Sequence, residues 1–225
     1  IEATCSLGLS FDADISSDDP AVVARGAKLL DDALSVARDL GSPYLVGVIA
    51  AALGKYDHPP TALGWENCRT SLRNLAERAA ASDMTLGIEV VNRYDSNLIN
   101  TAEQALQMID EIGAPNVVVH LDTYQMNIEE ENYRAPVLAA GDRLGYVHIS
   151  ESHRGYLGTG TVDFDTFFAT LRELGYAGPV VFESFSSKVV SPALSNTLGI
   201  WREHWQDGMD PAKHAHAFMA ERLAD

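Results

Sequence analysis

The sequence predicts an α/β fold built on a parallel sheet, and three observations carry that expectation. Short β-rich runs alternate with amphipathic helical stretches along the whole length. The runs are apolar on both faces, as strands covered by helices on each side are. The helical stretches carry their own start and stop signals, and no linker, low-complexity tract or charge block interrupts the series. A serial β-α pattern with short connections winds in one sense, into a sheet either open or closed into a barrel. A chain of 225 residues suits one domain with a sizeable core, or at most two small ones, and a single domain over residues 1–225 is expected.

The elements follow in order. The first run, EATCSLGL, leads into a helix in which Asp19 is the N-cap, Pro20 the first helical residue and Gly41 the stop. YLVGVI is the second strand, followed by a helix over GWENCRTSLRNLAERAAA. LGIEVV is the third. The helix after it opens on a capping box, Thr101 with Gln104, and closes at Gly113. Its Ala105, Met108, Ile109 and Ile112 form one apolar stripe that reads as core. NVVVHLD and LGYVHIS are the fourth and fifth strands. A helix over DFDTFFATLRELG, with Phe167, Phe168, Leu171 and Leu174 inward, separates LGYVHIS from the sixth, PVVFES. A terminal helix, DPAKHAHAFMAERLAD, is capped by Asp210 and Pro211. Trp201 and Trp205 in GIWREHW are expected to share a helical face, packed on the sheet or on a neighbouring subunit.

Charge narrows the partners. Thirty-two acidic residues against 16 basic ones give a net charge of −16, which argues against nucleic acid or an anionic membrane as a partner. No apolar run reaches the roughly 20 residues that cross a bilayer, and no signal-peptide pattern opens the chain, so a soluble, cytoplasmic protein is expected. Cys5 and Cys68 lie far apart without metal spacing and read as buried reduced thiols.

Chemistry recurs at the strand ends. Glu89, Asp122, His148 and Glu183 each sit late in a successive strand, 33, 26 and 35 residues apart (89 to 122, 122 to 148, 148 to 183), about one β-α unit each time. Four parallel strands thus present one potential metal ligand apiece at their C-terminal ends, where function collects in such folds. Singly, each has an ordinary reading: Asp122 a loop cap, His148 a core histidine, Glu89 and Glu183 rim ion pairs. Together they differ, because three carboxylates buried side by side are very unfavourable without compensation. A divalent cation resolves the conflict, and three oxygen donors with one imidazole suit Mn²⁺, with Mg²⁺ or Co²⁺ as substitutes, better than structural zinc.

Several other residues read as ordinary. His120 shares strand parity with Asp122 and is expected one layer deeper, as a core or supporting histidine. His214 and His216, two apart on a helix, read as surface. His153 is placed on the rim, and Glu151 reads as a loop hydrogen-bonding group rather than a third acid.

The blocks IEVVNRYDSN, HLDTYQMNIEE, VHISESHRGYLGTGTVDF and GPVVFESFSS resemble those of the ketose 3-epimerases in order and spacing. That group acts on D-tagatose, D-allulose (psicose) and L-ribulose, and belongs to the xylose-isomerase-like sugar isomerases and epimerases. The resemblance implies a TIM-type (β/α)8 barrel of which this chain supplies six strands, the family having two further β-α units before EATCSLGL. It places the metal on Glu89, Asp122, His148 and Glu183, and makes Glu89 and Glu183 the acid/base pair. It makes Arg154 the substrate-orienting arginine, and it implies a free monosaccharide substrate and a homo-oligomer, dimer or tetramer. Two substrate-binding positions depart from the pattern: Asp95 stands where the family commonly has glutamate, and Gln125 where it has histidine. Asp95 is one methylene shorter, and Gln125 keeps hydrogen bonding but cannot titrate. These departures leave room beside C3 epimerisation for an enolising C-glycoside-cleaving subunit acting on 3-oxo-sugars, and the two unsupplied β-α units give weight to a catalytically silent sugar-binding subunit.

Overall fold

Six β-strands and eight α-helices make up the computed structural model, which describes residues 3–224. The strands are β1 Cys5–Ser6, β2 Tyr44–Gly47, β3 Thr85–Glu89, β4 Val117–Asp122, β5 Leu144–Ile149 and β6 Val180–Phe182. Their order in the sheet is their order in the chain. The chain divides into two compact units, Ile1–His120 and Leu121–Asp225, with the boundary inside β4.

In the first unit β1, β2, β3 and the start of β4 pair in parallel, each strand with the next. The helices between are α1 Pro20–Asp39, α2 Ala62–Ala80 and α3 Ala102–Ile112. Each begins where its cap dictates. Asp19 accepts from Ala21 N, Thr61 from Gly64 N, and Thr101 with Gln104 completes the expected capping box. Gly113 closes α3 in the left-handed conformation that disfavours residues with a Cβ. The apolar stripe of α3, Ala105, Met108, Ile109 and Ile112, is buried as expected. Side chains of the size of Met108 and Ile109 contribute about 1.5–3 kcal/mol each when fully withdrawn from water. Cys68 on α2 is buried and its thiol is pushed up by burial, whereas Cys5 is only partly covered.

In the second unit β5 and β6 pair in parallel. The helices are α4 Thr123–Glu129, α5 Ala135–Ala140, α6 Phe164–Leu174, α7 Pro192–Leu198 and α8 Met209–Ala224. Asp163 caps α6 by accepting from Thr166 N, Gly175 ends it, and Phe167, Phe168 and Leu171 are buried beneath it.

Some boundaries differ from expectation. Only Cys5–Ser6 of the first run forms paired strand, followed by an isolated bridge between Leu9 and Ala52, and Glu2 lies outside the described residues. The terminal helix starts at Met209, so Asp210 and Pro211, expected as its cap, lie within its first turn, and the expected last residue, Asp225, lies outside the described residues. The helical face expected for Trp201 and Trp205 does not form. Gly199 adopts a left-handed conformation (φ 65°) and ends α7, so residues 200–206 run irregularly. Trp201 is 70 % exposed, while Trp205 turns inward and donates its indole N–H to Ser184 Oγ at 2.7 Å. His214, exposed on α8 as expected, meets Leu157 O at 2.8 Å through Nε2.

Candidate metal and active site

In the second unit three of the expected ligands come together. Asp122 ends β4, His148 is the penultimate residue of β5, and Glu183 follows β6 directly. Two clasps bring these strand ends into line. Thr123 Oγ1 donates to Ser150 O (2.7 Å) and accepts from Ser150 N (2.8 Å), tying the end of β4 to the end of β5. Glu183 N donates to Ile149 O at 3.1 Å, extending the β5–β6 pairing one residue past the strand.

Asp122, His148 and Glu183 each offer a ligand atom, all within 4.8 Å of one another. His148 Nδ1 lies 3.5 Å from Glu183 Oε1. The two oxygens of Asp122 have different tasks: Oδ1 accepts from Tyr124 N at 2.9 Å and caps α4, and Oδ2 meets Arg154. The ordinary reading of Asp122 as a cap therefore holds for one oxygen, and the second faces the cluster. Asp122 has no exposed surface. Burial pushes its carboxyl above the ordinary range; the Arg154 guanidinium opposes that shift, and the Glu183 carboxylate adds to it. Two carboxylates and an imidazole converging in a buried place are a hard, mixed donor set, and a divalent cation fits it.

Arg154 is the counter-charge. Its Nη1 donates to Asp122 Oδ2 (2.8 Å), to Ser150 Oγ (3.2 Å) and to Glu183 Oε2. The guanidinium carbon stands over the Tyr124 ring, 3.8 Å from its centroid, and 5.3 Å from that of Phe185, a cation–π placement that suits a weakly hydrated guanidinium. Tyr124, Ser150 and Phe185 escaped the sequence reading. Tyr124 lies inside the quoted HLDTYQMNIEE block, but no spacing rule marks a ring that stacks on an arginine 30 residues away. Gln125 is buried on α4. His153 stacks on His204 with centroids 5.3 Å apart, beside a cavity of about 220 Å³ lined by Tyr124, Arg154, Trp201 and Arg202 among others.

The remaining two expected residues belong to the first unit. Glu89 is the last residue of β3, 8 % exposed, and pairs in register with the fully buried His120, two residues before Asp122 on β4. Asp95 follows in a turn that Asn92 organises: Asn92 Oδ1 accepts from Tyr94 N (2.8 Å) and Nδ2 donates to Asp95 Oδ2 (2.9 Å).

The comparisons with known proteins agree over nearly the whole chain. The family model for the xylose isomerase-like TIM barrel matches residues 2–221. A ketose 3-epimerase of Arthrobacter globiformis is 51 % identical over 223 residues, covering 99 % of this chain and 77 % of the relative. An L-ribulose 3-epimerase of Methylomonas sp. (strain DH-1) is 51 % identical over 222 residues, covering 99 % and 78 %. Among solved structures, a D-allulose 3-epimerase from Methylomonas sp. in complex with D-allulose superposes with a TM-score of 0.97 at 51 % identity, over 99 % of this chain and 77 % of that one. The serial order of the parallel strands is that of the (β/α) barrel that the family's description names. With the motif blocks, the strand-end cluster and these matches in agreement, the chain belongs to the xylose isomerase-like TIM barrel family, on its ketose 3-epimerase branch.

Proposed function

We propose that this chain is a metal-dependent isomerase that epimerises a free ketose at C3. The observation that carries the reading is the convergence of Asp122, His148 and Glu183 within 4.8 Å at successive strand ends, with Arg154 set against two of them. Glu89, at the equivalent end of β3, completes the proposed ligand set. Mn²⁺ is the proposed ion, with Mg²⁺ or Co²⁺ able to substitute. Bound there, a divalent cation would stabilise the negative charge that develops on the C2 carbonyl oxygen when C3 loses its proton.

The side chains supply the rest. C3 of a 2-ketose is only weakly acidic, so a carboxylate must be held against its proton, and inversion needs a second carboxylate on the other face. Glu89 and Glu183 are assigned these two roles, one removing the proton to leave an enediolate and the other returning a proton to the opposite face. Arg154 is assigned to orient the sugar oxygens through N–H donors already fixed by ring stacking. Asp95 and Gln125 are assigned to the sugar hydroxyls, and a shorter acid and a non-titrating amide there support a substrate preference shifted from that of relatives with glutamate and histidine. The D-allulose held by the Methylomonas enzyme supports a monosaccharide substrate. The family match runs through both compact units and supports one catalytic domain over 1–225. A homodimer or homotetramer is part of the same proposal, to be read by sedimentation. Among the described residues no helix is long and apolar enough to cross a membrane.

The test is incubation with Mn²⁺ and, separately, D-fructose, D-tagatose, D-allulose and L-ribulose, with products resolved by NMR. A C3 epimer from at least one of them is expected. Mn²⁺ binding without turnover of any ketose would overturn the reading and leave the C-glycoside-cleaving and silent sugar-binding alternatives.

A further inference from the structure

Beyond the proposed ligands and acid/base pair, Glu151 is a buried carboxylate with no role yet in the proposed reaction. Glu151 has no exposed surface, and it stands two residues past the end of β5, at the root of the loop ESHRGYLGTGTV. Its side chain turns back into that loop. Oε1 accepts from Ser152 N (2.8 Å) and Val162 N (3.3 Å), and Oε2 from Gly158 N (2.9 Å). Gly160 N contributes a further bond. Burial alone would raise this carboxyl; the amides of Ser152, Val162 and Gly160 outweigh it and hold the group below its ordinary range. Gly160 is required for the wrap, because a Cβ there would stand 2.4 Å from Glu151 Oε1 and 2.3 Å from Ser152 Oγ.

What the wrapped loop carries is Arg154. Arg154 has φ +64°, a left-handed backbone that costs a residue with a Cβ roughly 1–2 kcal/mol. Such a conformation persists only where its surroundings over-determine it. Here Arg154 N donates to the backbone oxygen of Glu151 (2.8 Å), and Arg154 O accepts from Phe185 N (3.1 Å) and Ser184 Oγ (2.6 Å). The side chain of Glu151 closes the loop on one side of Arg154, and its carbonyl sets the turn that points the guanidinium at Asp122, Glu183 and the Tyr124 ring.

We propose that Glu151 is a positioning residue: its carboxylate gathers the amides of the 152–162 loop so that Arg154 is held, before substrate arrives, in the one orientation that serves the sugar. The inference rests on the ketose-epimerase reading for its kinetic consequence but not for its structural one. Glutamine at 151 keeps the shape and presents an NH₂ toward backbone N–H groups, so the wrap loosens. Fixing a reacting group in place contributes heavily to rate, and a displacement of about 1 Å can cost on the order of 10²-fold.

The experiment is a cycle of Glu151→Gln, Arg154→Ala and the double variant, with Gly160→Ala as a second way to disturb the wrap if Glu151→Gln folds poorly. Two readouts are taken: kcat/KM for ketose epimerisation, and the ¹⁵N-detected side-chain signal of Arg154 with amide exchange across 152–162. Glu151→Gln is expected to lower kcat/KM 10- to 100-fold, to add nothing once Arg154 is alanine, and to broaden the Arg154 signal while exchange quickens. Additive losses in the double variant, or an Arg154 signal unchanged in both Glu151→Gln and Gly160→Ala, would overturn the proposal. A wild type inactive on every ketose overturns the functional reading instead, and the Arg154 signal then decides the positioning role alone.

Discussion

Arg154 Nη1 lies 2.8 Å from Asp122 Oδ2, and both side chains are almost wholly withdrawn from water, at 8 % and 0 % exposure. Glu183 shares the same nitrogen at 24 % exposure. Charges paired at such depth behave asymmetrically: an intact pair adds little net stability, whereas removing one partner leaves the other unsolvated.

Arg154→Ala is therefore expected to destabilise the metal-free protein by roughly 3–5 kcal/mol. For a chain of this size that corresponds to a Tm lower by about 6–20 °C. Saturating Mn²⁺ should recover part of the loss, since a cation among the same carboxylates replaces the missing positive charge. Calorimetry with and without Mn²⁺ reads both effects; an equal loss in both conditions would show that the carboxylates do not share a cation.

Asp122→Asn and His148→Ala should each sharply reduce bound Mn²⁺, measured as metal per chain after gel filtration. Of the two, Asp122→Asn removes a formal charge, so its residual Mn²⁺ binding should also fall less steeply with ionic strength than the wild type's. Full stoichiometry in both variants would place the ion elsewhere.

Much of this site was legible before any coordinates. Glu89, Asp122, His148 and Glu183 announce themselves because a carboxylate or imidazole at the mouth of an apolar strand is out of keeping with its surroundings, and the period of one β-α unit repeats the anomaly. Caps behaved similarly: Asp19, Thr101 and Asp163 start helices through bonds that span two or three residues, a distance over which sequence and structure are nearly the same thing. What could not be read depends on loop paths. Apolar and aromatic residues suggested a helix for Trp201 and Trp205, and the left-handed Gly199 overrode that pattern. Likewise the meeting of Tyr124, Ser150 and Phe185 around Arg154 follows from a left-handed turn at an arginine, which residue type alone argues against.

Glu183→Gln should separate binding from chemistry. The amide can still offer an oxygen, so Mn²⁺ affinity falls only in part, but it cannot exchange a proton. Loss of a positioned acid/base is expected to lower kcat by roughly 10²–10⁴. Near-normal kcat on the best ketose would remove Glu183 from the proton path.

The Glu151 clamp has a pH signature. Its carboxyl is depressed in the folded protein, so its stabilisation is present above the unfolded-state value, near 4.5, and is lost as pH falls through the lower folded value. Wild type should exceed Glu151→Gln in Tm at pH 7, and the gap should narrow as pH drops below about 4.5. A gap independent of pH down to acid unfolding would show that Glu151 is not held as the anion.

The most direct test of two-carboxylate epimerisation is the fate of the C3 hydrogen. Under Mn²⁺ in D₂O, the best ketose substrate should yield an epimer carrying deuterium at C3, while substrate recovered at low conversion remains protonated there. One carboxylate removes the original proton and the other delivers one drawn from solvent. Glu183→Gln should slow this washing-in of deuterium into the epimer by the same factor as turnover. An epimer that retains its original C3 hydrogen, or one labelled at C4 instead, would contradict C3 epimerisation by Glu89 and Glu183.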